Sequence, residues 1–505
     1  MEKNFLYRLC RNALWWIALL MTTTVFLLNV FYISEVSSSG YEVVTISSHT
    51  LPGVLMLVVI GCIVVLLRNV RALLESVDEN KLFWLLTGIY AVFALYLIFN
   101  VDNVIRADAK TVFNTALEAK EGIYSAFRPG HYMYRYPHQL GLMTYDRILA
   151  GFSENPQFVF FVNFLFVVGI NHTAWKVSDH LFRDRLTNIL TILLSFAFLP
   201  QLFFILFAYG LIPGFFFMLM GFYQCLQYAE SENPWDMAAM LLSVMAAVLL
   251  KQNFLIGGIA IAIFLFLRYL QDKRVWKIVS VVGLAICMTV PGTCLKQLYE
   301  RQADVSLDNP SPSVLWIAMG TDIDNSKRGP GWYDSSSWNL YNDSGYNTEA
   351  ASELGKDKLY NNWQKIQAEP ARAGKFFLDK TVSQWCDPMY ESVWSGPLED
   401  CGQYTHTDIL QSLYTGGRCA EWIAVCLKLL CLALWMLAAG YLLLVGKEAA
   451  DWAPMYLYFI GGLLFHTFWE GKSQYTYPYL FVLIPFAASS IKTLITKHRL
   501  WDSSR

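Results

Sequence analysis

Two short polar clusters carry residue types suited to acid–base and anion chemistry. One is Glu470-Gly-Lys472-Ser-Gln-Tyr475-Thr-Tyr477-Pro478-Tyr479, between two apolar runs; the other is Arg106-Ala-Asp108-Ala-Lys110, just after a third. A carboxylate can take a proton from a hydroxyl, and lysine or arginine can hold an anion as its charge grows. Tyr475 and Tyr477 add hydrogen-bond donors and aromatic faces. Such groups are costly to keep beside hydrocarbon, so they mark a reaction or transport site sooner than decoration. After Asp108, the apolar Val112, Phe113, Ala116, Leu117 and Ala119 recur at helical spacing, opposite Lys110, Glu118, Lys120 and Glu121. This predicts an amphipathic helix along the membrane surface, ending at Gly122, with Asp108 in its first turn. The helix dipole keeps a carboxylate ionised there, which suits a proton acceptor. The plainer alternatives are a helix-start aspartate with Arg106 as surface partner, and a snorkelling Lys472 partnered by Glu470. A further cluster brings Arg135, His138 and Gln139 to the head of an apolar run, either as packing groups or lining a cavity that opens outward.

The elements that must position these residues are membrane helices. With 55% hydrophobic and 15% charged residues and a mean hydropathy of +0.37 over 505 residues, charge is too sparse for a soluble protein. Apolar runs able to cross roughly 30 Å of hydrocarbon occur near 13–33, 50–67, 82–100, 156–178, 187–208, 211–228, 236–250, 253–269, 278–297, 420–446, 452–469 and 478–493, with a shorter candidate at 138–152. Thirteen segments cannot place both ends on one side: either 187–208, broken by Pro200, Gly210 and Pro213, is not a regular span, or 138–152 only dips into the membrane. The expected fold is an all-α polytopic membrane protein of about 12 spans with a small, mainly helical extracytoplasmic domain at 298–417. Within that domain, helices are predicted at 348–368 and 371–385, broken at Pro370. Residues 1–81 form an N-terminal pair of spans, 82–297 a core holding the first outer loop 101–137, and 418–505 the last spans with the outer hairpin 470–477. Basic residues Lys3, Arg8, Arg11, Arg68, Arg71, Lys81, Arg268, Lys273, Arg274, Lys277, Lys492, Lys497 and Arg499 assign both termini to the cytoplasm, which puts every polar cluster outside. The net charge of -2 leaves no basic stripe for nucleic acid. Cys386 and Cys401, in the large outer loop, are the pair an oxidising compartment could join.

The order of these features resembles the GT-C class of membrane glycosyltransferases, in particular bacterial relatives of protein O-mannosyltransferases and aminoarabinose transferases. The resemblance rests on the aspartate ahead of an amphipathic helix, Tyr136-Pro-His-Gln139 leading into a span, and the Glu-Gly-Lys-Ser-Gln-Tyr-x-Tyr-Pro hairpin. Ile317-Ala-Met-Gly320, Gly329-Pro-Gly-Trp-Tyr333 and Phe376-Phe-Leu-Asp-Lys-Thr-Val-Ser-Gln-Trp-Cys-Asp-Pro388 extend it, from about residue 82 to 493; the first two spans look like an addition. It implies a polyprenyl-phosphate sugar donor and a catalytic aspartate, matched by Asp108, working in the cell membrane on an extracytoplasmic acceptor that is a glycan or a protein. Neither a cofactor nor a metal is indicated. The chain departs from the pattern in having no second acid beside Asp108, so that either Asp108 acts alone or Asp102 or Glu118 is its partner. Lys472 with Arg106 or Arg135 would clamp the donor phosphate, and Glu470, His138, Gln139, Tyr475 and Tyr477 would complete the substrate site. A polymerase or ligase acting on lipid-linked glycan, and a transporter, are the competing readings; the near absence of charge within spans weighs against the transporter.

Overall fold

The computed structural model describes residues 5–37, 40–446 and 452–496; Lys3, Lys497 and Arg499 lie outside the described residues. Among these the chain is almost wholly helical, with one antiparallel pair of strands, β1 (Tyr32–Val36) and β2 (Val44–Ser48). Seven helices are long and apolar enough to cross a membrane: Phe5–Phe31, Thr50–Asn69, Glu79–Phe99, Pro156–Phe182, Gln252–Asp272, Trp276–Ala303 and Arg418–Val445. Two bent pairs, Arg185–Ala197 with Pro200–Leu206 and Ser473–Phe481 with Ile484–Thr496, raise the number to nine if each is one span. The chain is therefore a multi-pass membrane protein. Thr50–Asn69 and Trp276–Ala303 are apolar yet only 11% buried within the fold, as expected of helices whose outer faces meet lipid.

The irregular stretch foreseen at 187–208 bends by 48° where Pro200 interrupts it. Proline has no N–H to give the preceding turn and its ring clashes with it, so the helix restarts in a new direction. Gly210 then begins helix Leu211–Ser231 at φ +72. A Cβ there would lie 2.3 Å from the Leu250 carbonyl, so only glycine lets the two backbones approach. That approach sets Tyr209 beside Lys251.

The predicted amphipathic helix is Ala107–Lys120, with Asp108 in its first turn and Gly122 left-handed just beyond its end. In the 298–417 segment, Thr348–Ala368 and Pro370–Trp385 are helical and break where expected. Trp332 and Trp385 are buried, whereas Trp363 is exposed. The backbone of this segment lies directly against residues 468–471: a Cβ on Gly320 would meet the Phe468 and Trp469 carbonyls at 2.5 Å. Cys386 is buried, Cys401 is exposed, and both are free thiols.

Candidate active site

The polar residues meet where the C-terminal ends of Phe5–Phe31, Glu79–Phe99, Pro234–Leu250 and Ala453–Phe468 run into their connecting loops. Residues 468–476 form the floor, and they are fastened from the 298–417 segment. Lys380, itself buried, donates to the carbonyls of Gly320 and Trp469, the latter at 2.6 Å. Gly471 N–H donates to Gly331 O at 2.8 Å, Ser473 Oγ to Asp387 Oδ2 at 2.6 Å, and Thr476 Oγ1 to Gln384 O at 2.8 Å. The backbone N–H of Gln474 donates to Glu391 Oε2 at 3.1 Å. Tyr390 and Glu391 are consecutive left-handed residues, at φ 52 and 56, and Ala107, directly before Asp108, has φ 52. Each such backbone costs on the order of 1–3 kcal/mol and persists only where its surroundings over-determine it. Here the strain lies beside two of the site's carboxylates.

Lys472 forms an ion pair with Glu42, which the β1–β2 hairpin brings in from 430 positions away. Asp108, Glu391 and Glu470 share its electrostatic surroundings. Burial works against the charge on Lys472, but Glu42, Glu391 and Glu470 outweigh it and hold the ammonium above its usual range. Burial pushes the Glu470 carboxyl up to about 7 against the pull of Lys472, with Glu42 and Asp108 adding to the rise. Burial likewise raises Asp108, opposed first by Lys472 and helped by Glu42. Asp108 and His138 are open to solvent-sized space yet crowded by protein on most sides, so both line a crevice, and water reaching it moderates the effect of burial on their acidity.

A chain of hydroxyls leads to Asp108. Gln139 Nε2 donates to the Tyr209 hydroxyl at 2.9 Å, Tyr209 and Tyr132 share a hydrogen bond of 2.8 Å, and Tyr132 faces the Asp108 carboxylate. Across the crevice, the Arg135 guanidinium lies 4.0 Å from the centre of the Trp338 ring and Arg106 lies 4.0 Å from that of Trp394. Lys251 Nζ sits 4.4 Å from the Tyr209 ring centre and 5.5 Å from that of Tyr475. None of these three cations has a carboxylate within ion-pair distance among the described residues, and Arg106 Nη1 and Arg135 Nε are buried without a hydrogen-bond partner. Lys251 and Arg135 both act on Asp108 or are acted on by it, so they face the same space.

The structure thus brings together Asp108, Arg106, Arg135, Gln139, Glu470, Lys472 and Tyr475, with His138 beside Tyr136 at a ring separation of 5.8 Å. Tyr477 does not belong with them: it is fully buried among Phe198, Phe204 and Phe215, a core packing group. Nor do Asp102 and Glu118 serve as the second acid. Asp102 is bonded to Tyr404 N and His406, and Glu118 accepts from Ser125. The carboxylates nearest in effect are Glu42 and Glu470. Glu42, Glu391, Tyr132 and Tyr209 escape the sequence reading. For Glu42 the available signal is its place in a short loop, 35–49, that has carboxylates but no lysine or arginine to pair them. Among the described residues no group of three or more His, Cys, Asp or Glu is arranged to hold a metal ion. A separate groove of about 480 Å³, lined by Arg418, Glu421, Trp422 and Val425, contains none of these residues. No protein-family model and no curated protein matches the chain.

Proposed function

We propose that the protein is an inverting membrane glycosyltransferase that moves a sugar from a polyprenyl-phosphate donor to an extracytoplasmic acceptor hydroxyl. The observation that carries this reading is the pairing of an accessible carboxylate, Asp108, with three cations that have no carboxylate of their own, Arg106, Arg135 and Lys251. Asp108 takes the acceptor proton while the acceptor oxygen attacks the anomeric carbon from the face opposite the phosphate. The bond from that carbon to the phosphate oxygen breaks, and the growing charge on the lipid phosphate is met by Arg135 and Lys251. Lys472, already neutralised by Glu42, is better suited to hold the carboxylates in place than to clamp phosphate. Tyr132, Tyr209 and Gln139 orient Asp108 through their hydrogen bonds.

This reading places the site on the outer face of the cell membrane, with 298–417 as an extracytoplasmic domain and both termini cytoplasmic. Helices Leu211–Ser231, Pro234–Leu250 and Ala453–Phe468 then also cross, and these three with the nine give the twelve spans. The test supplies membranes, with and without the protein, with radiolabelled polyprenyl-phosphate sugars and follows the label into glycan or protein. Transfer that depends on the chain and falls at least roughly a hundredfold in Asp108→Asn is expected, since that is the usual worth of a general base. Wild-type turnover by that variant removes Asp108 as the base; label moving only from pyrophosphate-linked glycan points to a polymerase or ligase.

A further inference from the structure

The β1–β2 hairpin precedes the portion of the chain that resembles glycosyltransferases, yet it is built into the site. Ser34 Oγ donates to Val382 O at 3.0 Å, and Val44 N–H to Arg328 O at 2.7 Å, so both strands are tied to the 298–417 segment. The hairpin's Glu42 is buried and pairs with Lys472. Lys472 belongs to a stretch whose backbone is fixed on both sides, by Gly471 to Gly331 and by Gln474 to Glu391. What remains free to vary is where its flexible stem aims the ammonium. The charged groups that act on it, on Glu42 or on Asp108 are Glu470 from the floor, Glu391 from the 298–417 segment, Arg106 ahead of the amphipathic helix, Arg135 beyond it and Lys251 after helix Pro234–Leu250, with Asp108 itself in the helix's first turn.

We propose that Glu42 is a positioning residue for Asp108: by holding and neutralising Lys472 it keeps that ammonium from pairing with Asp108, and so keeps Asp108 able to accept a proton. A carboxylate joined to an ammonium at ion-pair distance becomes a weaker base, because the opposite charge favours its ionised form. The hairpin is then a working part of the site, contributed by the first pair of spans. The consequence for catalysis rests on the glycosyl-transfer reading, while the effect on Asp108 stands apart from it.

The full-length chain in detergent can be treated with a water-soluble carbodiimide and an amine, which together convert protonated carboxyls to amides, and modification of Asp108 mapped by mass spectrometry across pH. Glu42→Gln should move the Asp108 curve to lower pH by about one unit, the low end of what a nearby opposite charge produces. Glu42→Asp, which keeps the charge, should leave the curve near its original place, and Glu42→Gln with Lys472→Met should return it there or higher. A curve unmoved in Glu42→Gln, or a shift that survives loss of Lys472, overturns the proposal. If Glu42→Gln does not accumulate, Lys472→Met alone decides: the curve rises in pH, or the proposal fails. Failure of the glycosyl-transfer reading shows instead as no chain-dependent movement of label from any polyprenyl-phosphate sugar, a result that leaves the Asp108 modification curves as they are.

Discussion

Glu470 is a carboxyl that gains and loses its proton near neutral pH. Its carboxyl is raised from 4.5 to about 7 by burial and by Glu42 and Asp108, against Lys472. A carboxyl whose folded pKa exceeds its unfolded value contributes stability through the bound proton, in full below the unfolded value and lost as pH rises through the folded one. The melting temperature in detergent should therefore fall between about pH 4.5 and about pH 7, and Glu470→Gln should flatten that fall; an unchanged slope would mean that another group titrates. Lys251 makes a different demand. It lies between helices Pro234–Leu250 and Leu255–Asp272, and among the described residues its one hydrogen-bond acceptor is Tyr209 O, at 3.4 Å. A lysine that binds phosphate should show itself in donor affinity, so Lys251→Met should raise KM for a polyprenyl-phosphate sugar by roughly tenfold or more, the worth of a charged hydrogen bond. A lower kcat at constant KM would assign Lys251 to the chemical step instead.

The elements that hold the site were unevenly legible. Ala107–Lys120 was readable because its apolar period is strict and its end is a glycine, and Thr348–Ala368 with Pro370–Trp385 because a proline separates two good helical patterns. The fastening of 468–476 was not, since it depends on backbone carbonyls and on glycines that allow close approach, neither of which carries a side-chain signal. Tyr477 misled for a related reason: in a run of alternating tyrosines only the fold determines which face meets the crevice, and this one meets Phe198, Phe204 and Phe215. Lys380 is the fastener that can be tested directly. Lys380→Met fits the apolar stem but strands two buried carbonyls, at a cost of about 2 kcal/mol, so the variant should melt several degrees lower and lose transfer along with stability. Unchanged melting would mean that the floor is held by its other bonds alone.

At the scale of the whole molecule, the hydropathy pattern foretold a helical membrane protein, while the pairing of 35–49 with 470–477 had no trace in it, because contacts between distant segments leave no local period. Sidedness is open to measurement. Single cysteines at Ser125 and Asp343, both exposed, should react with an impermeant thiol reagent on intact cells, and one at Ser76 only after lysis. Ser473 is unsuitable for this purpose because it is buried against Asp387. Labelling of Ser125 and Asp343 from opposite sides would defeat a shared site. The 430 positions between Glu42 and Lys472 also bear on how the protein is made. At about 5–20 residues per second, the ribosome emits the second partner roughly twenty to ninety seconds after the first. For most of that interval the nascent chain holds the hairpin and Asp108 without the lysine that pairs with Glu42. A truncated product ending between Asp108 and that lysine would bear the acid but lack the partner of Glu42, so the cluster of charges assembles only when the chain has been made almost to its end.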